Sequence, residues 1–119
     1  MIPSFLLAKL YMKGSLKNTA SGFEFTLKNI IDSTMLIGIG PINSGEHTYE
    51  GEDIELTIAD RKVNGANLSR GNPIPIRMGE LLRVNVHCDP LEAGANKITV
   101  EAVSGDIGRI KFDISDIIS

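Results

Sequence analysis

The residues best equipped for chemistry stand side by side in Leu82–Ile98, LRVNVHCDPLEAGANKI, which carries His87, Cys88 and Asp89 in succession. A thiol next to an imidazole is the raw material of a nucleophile and its base. A histidine, a cysteine and a carboxylate are also metal ligands. Their spacing argues against both uses. On an extended segment successive side chains face opposite ways. Leu82, Val84, Val86 and Cys88 then share an apolar face, and Arg83, Asn85, His87 and Asp89 share the other. Cys88 reads as a small buried hydrophobe. Asp89 followed by Pro90 is turn chemistry.

The second histidine, His47, would suit zinc or iron together with His87 and a carboxylate. Nothing in the sequence spacing joins the two. Glu46, Glu50, Glu52 and Asp53 crowd the stretch before Ile54. They could offer oxygens to calcium, but their order does not follow an EF-hand, and they read as residues that keep a long loop solvated. Gly38-Ile39-Gly40 opens like a dinucleotide fingerprint, yet the third glycine is missing and Pro41 stands where a helix should begin. The chain has no serine elbow, paired-acid motif or phosphate loop. Tyr11 and Tyr49 are the candidate exposed aromatics, and with no tryptophan in the chain a sugar-stacking platform is poorly supplied. The reading therefore assigns no catalytic, cofactor-binding or metal-ligating residue and expects no cofactor. Its alternative is a small metal-dependent enzyme or a carbohydrate-binding protein using His47, His87, Asp89 and the loop carboxylates.

The elements that would position these residues follow a period of two, in short segments broken by Gly, Pro, Asn and Asp. Phe5–Lys13 alternates Leu6, Ala8, Leu10 and Met12 against Leu7, Lys9, Tyr11 and Lys13. Gly22–Lys28 alternates Phe23, Phe25 and Leu27 against Glu24, Thr26 and Lys28. The turn residues Asn18–Gly22 between them predict a hairpin. Met35–Gly40 predicts a third strand with Met35, Ile37 and Ile39 on one face, ended by Pro41. Its glycines suggest a bulge or a close backbone approach.

Ile54–Ile58 alternates cleanly, and Lys62–Gly65 begins its return. Asn72–Ile76, with two prolines, fits only an edge or a connection. Leu82–Cys88, Lys97–Val103 and Arg109–Ser115 complete the series. Short helical turns are expected only at Tyr49–Asp53 and Ser115–Ile118. Seven to eight short strands at this spacing predict an all-β fold, an antiparallel β-sandwich of jelly-roll or Ig-like type.

A chain of 119 residues is one domain, spanning residues 1–119, and its 42% hydrophobic and 23% charged content is ordinary for a globular protein. A net charge of −3, with basic residues dispersed, supplies no phosphate-binding field, so nucleic acid is not an expected partner. The single cysteine excludes an internal disulfide and fits a reducing, cytoplasmic setting. No run reaches the length of a membrane span, and Lys9 interrupts the apolar N-terminal stretch. The first segment is richer in apolar residues than one core face needs, and Ile114, Ile117 and Ile118 add more at the other end. Either the two termini pack on each other or they meet another subunit. The expected partner is a second copy, as a homodimer or higher oligomer, with a larger enzyme subunit as a further one.

MIPSFLLAKLYMKGSLKN and GFEFTLKN, with GNPIPIRMGELLRVNV, DPLEAGANKITVEAV and GRIKFDISD, resemble a small archaeal β-sandwich family. Members of that family carry the label hydroxymethylglutaryl-CoA reductase. Without a dinucleotide motif or an acid–lysine constellation, the resemblance implies no reductase site in this chain, and the label either is misplaced or marks a partner of that enzyme. A weaker resemblance, around Leu91-x-x-Gly94 and Ile98-x-Val100, is to the small β subunits of C-glycoside deglycosidases. It implies a small subunit that supports a larger catalytic chain; the reading of the chain as a non-catalytic binding or assembly module that self-associates rests on its apolar surface and on the absent catalytic groups.

Overall fold

The computed structural model describes residues 2–118. Ten strands form two antiparallel sheets around one core. They are β1 (Lys17–Thr19), β2 (Gly22–Lys28), β3 (Thr34–Ser44), β4 (His47–Tyr49) and β5 (Ile54–Ile58). β6 (Arg61–Asn64), β7 (Ile74–Ile76), β8 (Leu81–His87), β9 (Gly94–Ser104) and β10 (Gly108–Ile118) follow. One sheet runs β1-β2-β8-β5-β6; the other runs β10-β9-β3-β4, with β7 on the first part of β3. The all-β sandwich expected from the sequence is the fold. β1, β4 and β7 are three residues each, too short to show a period.

Alternation explains the core. In β2, Phe23, Phe25 and Leu27 point inward; in β8, Leu82, Val84 and Val86; in β5, Ile54, Leu56 and Ile58. Ile98, Val100 and Ala102 of β9 and Phe112 and Ile114 of β10 face them from the other sheet. Each fully buried side chain of this size contributes roughly 1.5–3 kcal/mol of transfer free energy. The Asn72–Ile76 segment is an edge, as its prolines require, with β7 pairing only to β3. No helix among the described residues is long and apolar enough to cross a membrane.

Three expectations need correction. Phe5–Lys13 is not a strand. Ser4–Leu7 forms a single helical turn (α1), and Ala8–Leu10 continues as a 3-10 turn. The segment lacks any β-branched residue, Leu and Ala favour helix, and Leu7 and Leu10 are buried at helical spacing. The hairpin partner of β2 is therefore β1. Ser115–Ile118 is not helical but the end of β10, held by pairing to β9 as far as Gly94.

Nor does Pro41 end the third strand. β3 continues to Ser44, because its pairing to β9 breaks between Ile39 and Ile42 and then resumes. A second register shift lies between Leu36 and Gly38. These two irregularities bury Leu36 and Ile42, three residues either side of the buried Ile39, in place of Met35 and Ile37. Tyr49–Asp53 does hold a turn, a 3-10 turn at Gly51–Asp53.

The corrected N-terminal segment closes one side of the sandwich. Met12 N–H donates to the Thr26 carbonyl of β2 at 3.0 Å. The Tyr11 hydroxyl donates to Asp116 Oδ2 of β10 at 2.6 Å, and Gly14 N–H donates to the same oxygen at 2.7 Å. The strap thus links β2 of one sheet to β10 of the other, with Leu7, Leu10 and Leu16 buried in the core. The strap pairs with β2 beyond the end of β1 and packs α1 against β10.

Candidate functional site

At one end of the sandwich the β3–β4 turn, the end of β8 and the start of β9 surround an open cleft of about 890 Å³. Glu46, His47, Tyr49, Asp53, His87, Cys88, Asp89, Glu92, Asn96 and Lys97 are among its lining residues. The two histidines, separated by the whole middle of the sequence, share this cleft. Sequence spacing gave no reason to join them, since β4 and β8 belong to different sheets and meet only because both end here. Glu50 and Glu52 are not part of the lining, whereas Glu46 and Asp53 are.

The alternation read for β8 holds: Val84 and Val86 are buried and Arg83 and His87 exposed. Just past the strand Cys88 still packs against the core, as its place in the stripe implies. Cys88 is only half-buried, and the chain turns there so that His87, Cys88 and Asp89 all border the cleft. The Cys88 amide donates to the Ser21 carbonyl at 3.0 Å, and the thiol points to the Val86 carbonyl at 3.7 Å. Burial pushes the thiol pKa up, and the negative charges of Asp89 and Asp53 push the same way, against the hydrogen bond from Tyr49. Cys88 is thus held protonated and is a poor nucleophile at neutral pH.

Tyr49 is the residue whose part the sequence indicated least. Its ring packs edge-on against Phe23 with centroids 6.1 Å apart, and lies nearly parallel to His47 at 6.3 Å and 18°. Burial first, then the hydrogen bond to Cys88 and the charges of Asp89 and Asp53, push its phenol up to about 12. Tyr11, the other candidate aromatic, lies in the strap and takes no part in the cleft.

Electrostatically the cleft is acidic. Glu46, Asp53, Asp89 and Glu92 face a single lysine, Lys97. That field disfavours phosphate-bearing ligands and suits hydroxyls or cations. Among the described residues no three His, Cys, Asp or Glu side chains converge as a metal-binding group.

The opposite end is apolar. Ile30, Met35, Met78, Leu81 and Ile107 are all exposed, Met78 by 60%. Backbone hydrogen bonds gather the loops that carry them. Asn29 N–H donates to Glu80 at 3.0 Å, Gly79 N–H to Asn29 at 2.7 Å, and Gly105 N–H to Met35 at 2.8 Å. The Met78 amide donates to Ser33 Oγ at 3.2 Å.

The family model described as Hydroxymethylglutaryl-CoA reductase, N-terminal domain, matches residues 6–119. The chain belongs to this family. The match takes in both sheets, the acidic cleft and the apolar end. No curated protein matches the chain.

Proposed function

We propose that this protein is a non-catalytic binding and assembly module that docks through its apolar end onto the catalytic part of a larger enzyme, a hydroxymethylglutaryl-CoA reductase. The observation that carries this reading is the exposed apolar set Ile30, Met35, Met78, Leu81 and Ile107, fixed in place by the loop hydrogen bonds. Large exposed apolar side chains in one place mark contact surfaces, and methionines adapt their shape to a partner. The family description supports the choice of partner, since it names a domain of that enzyme. The resemblance to small β subunits points the same way.

The module also self-associates, as a homodimer or higher oligomer. The termini pack on each other, yet Phe5 stays 68% exposed and Ile117 70%. These two are the natural contacts for a second copy. The setting is cytoplasmic, in keeping with one unpaired cysteine.

Sedimentation velocity tests the docking. The catalytic part of the reductase, mixed with this chain, should sediment as a faster complex, and Met78→Glu with Ile107→Glu should abolish the shift. Unchanged sedimentation of the wild-type mixture would contradict the proposal.

A second reading has one observation in its favour: His47, His87, Asp53 and Asp89 do share a cleft. A metal-dependent enzyme or a carbohydrate-binding protein would use those residues, with the His47–Tyr49 rings as a stacking face. Stoichiometric zinc or iron in purified protein, lost in His87→Ala, would favour it over the assembly reading.

A further inference from the structure

A second space lies inside the sandwich, away from the acidic cleft. It is a pocket of about 80 Å³ between the sheets, walled by Leu10, Leu36, Ile76, Val100 and Phe112 and their neighbours. Its exposed wall is almost wholly hydrocarbon. Lys28, Asn29 and Asp32 border it on the loop side, and Ile107 is common to the pocket and the exposed apolar end. The pocket therefore opens toward the surface at that end.

Water is a poor occupant. A buried water needs two to four polar partners. The hydroxyls at hand, Thr34 and Ser104, already bond each other. Thr34 also donates to Asp106 Oδ2 at 2.8 Å, and Ser104 Oγ accepts from the Asp106 and Ile107 amides at 3.1 Å. An empty pocket leaves its lining without dispersion partners. A hydrocarbon group restores them at no cost in hydrogen bonds. Size limits the choice: the volume is about half that of an engineered 150 Å³ cavity that holds benzene.

We propose that this pocket binds a short aliphatic group of about three or four carbons, with any polar head left outside among Lys28, Asn29 and Asp32. The group is either a free small molecule or the end of a longer alkyl chain.

Titrating the full chain with xenon, and with the linear 1-alkanols from propanol to octanol, tests this through the methyl NMR signals of Ile76 and Val100. Saturable shifts are expected with xenon and with butanol. Affinity that levels off beyond butanol identifies a free small molecule; affinity that keeps rising identifies a chain end emerging past Ile107. Ala102→Leu fills the pocket and should weaken xenon binding by about tenfold or more without lowering Tm. Should that variant not fold, Leu36→Ala, which enlarges the pocket, should admit benzene where the wild type does not. Absence of saturable shifts in the wild type, xenon binding unchanged in Ala102→Leu, or no benzene binding in Leu36→Ala would each overturn the proposal.

Discussion

Tyr49 sits where core and cleft meet, with its ring on Phe23 and its hydroxyl toward Cys88. Its folded pKa is raised, so the neutral phenol is the form the fold favours. That stability is present below pH about 10 and is lost as the pH climbs toward 12. With no tryptophan and only Tyr11 and Tyr49 as tyrosines, phenolate absorbance reads the two directly. In Tyr11→Phe the remaining phenol of the folded chain should titrate near 12, well above the same chain in denaturant. A midpoint near 10 would remove Tyr49 from this setting. The inward and outward faces of Leu82–His87 were readable because alternation is local. The meeting of His47 with His87 was not, because it depends on which strands of different sheets end together. Cys88 falls between the two cases: its apolar stripe was legible, but the turn that brings it to the cleft begins one residue after the strand.

Among the elements, the N-terminal strap and the Gly51–Gly65 contact carry the most structural meaning. The strap hangs on Asp116, whose carboxyl pKa is lowered by the Tyr11 hydroxyl first and then by the Gly14 and Ile117 amides. A lowered carboxyl pKa means stability that is complete above its ordinary value of 3.8 and is lost as pH falls through the depressed one. Asp116→Asn should lower Tm at pH 7, and the gap to wild type should shrink as the pH drops below 3.8. A gap of constant size across a melting series would count against the strap's dependence on that charge.

On the other side of the sandwich two 3-10 turns, Gly51–Asp53 and Gly65–Asn67, nearly touch. A Cβ at residue 65 would lie 2.6 Å from Ile39 Cγ2 and 2.7 Å from the Gly51 carbonyl oxygen. Gly65→Ala should therefore cost about 1–3 kcal/mol of stability in urea unfolding. The sequence pointed to Gly38 and Gly40 for such crowding. Gly40, at φ 102° with Ile54 Cδ1 3.3 Å from its missing Cβ, fits that reading, while Gly65 lies in a loop with no period to betray it. The strap was misread for a related reason, since its apolar residues satisfy a strand pattern and a helical one equally well. The β3 register shifts were legible only as glycines that suggest a bulge, not as a change of buried face.

At the scale of the molecule, the two ends of one sandwich differ in chemistry. One end gathers four carboxylates and two histidines around an open cleft. The other gathers five exposed apolar side chains over a hydrocarbon pocket. Composition and strand spacing were enough to read the sandwich, and the excess of apolar residues was enough to raise the idea of a partner. Which end is apolar and which acidic depends on loop packing that no periodicity encodes. Hydrogen exchange on this chain, alone and bound to the catalytic part of the reductase, compares the two ends directly. Slowed exchange at residues 29–35, 77–81 and 104–108, with 45–49 and 87–92 unchanged, is the predicted result. Slowing confined to 45–49 and 87–92 would place the contact at the acidic cleft and contradict docking through the apolar end.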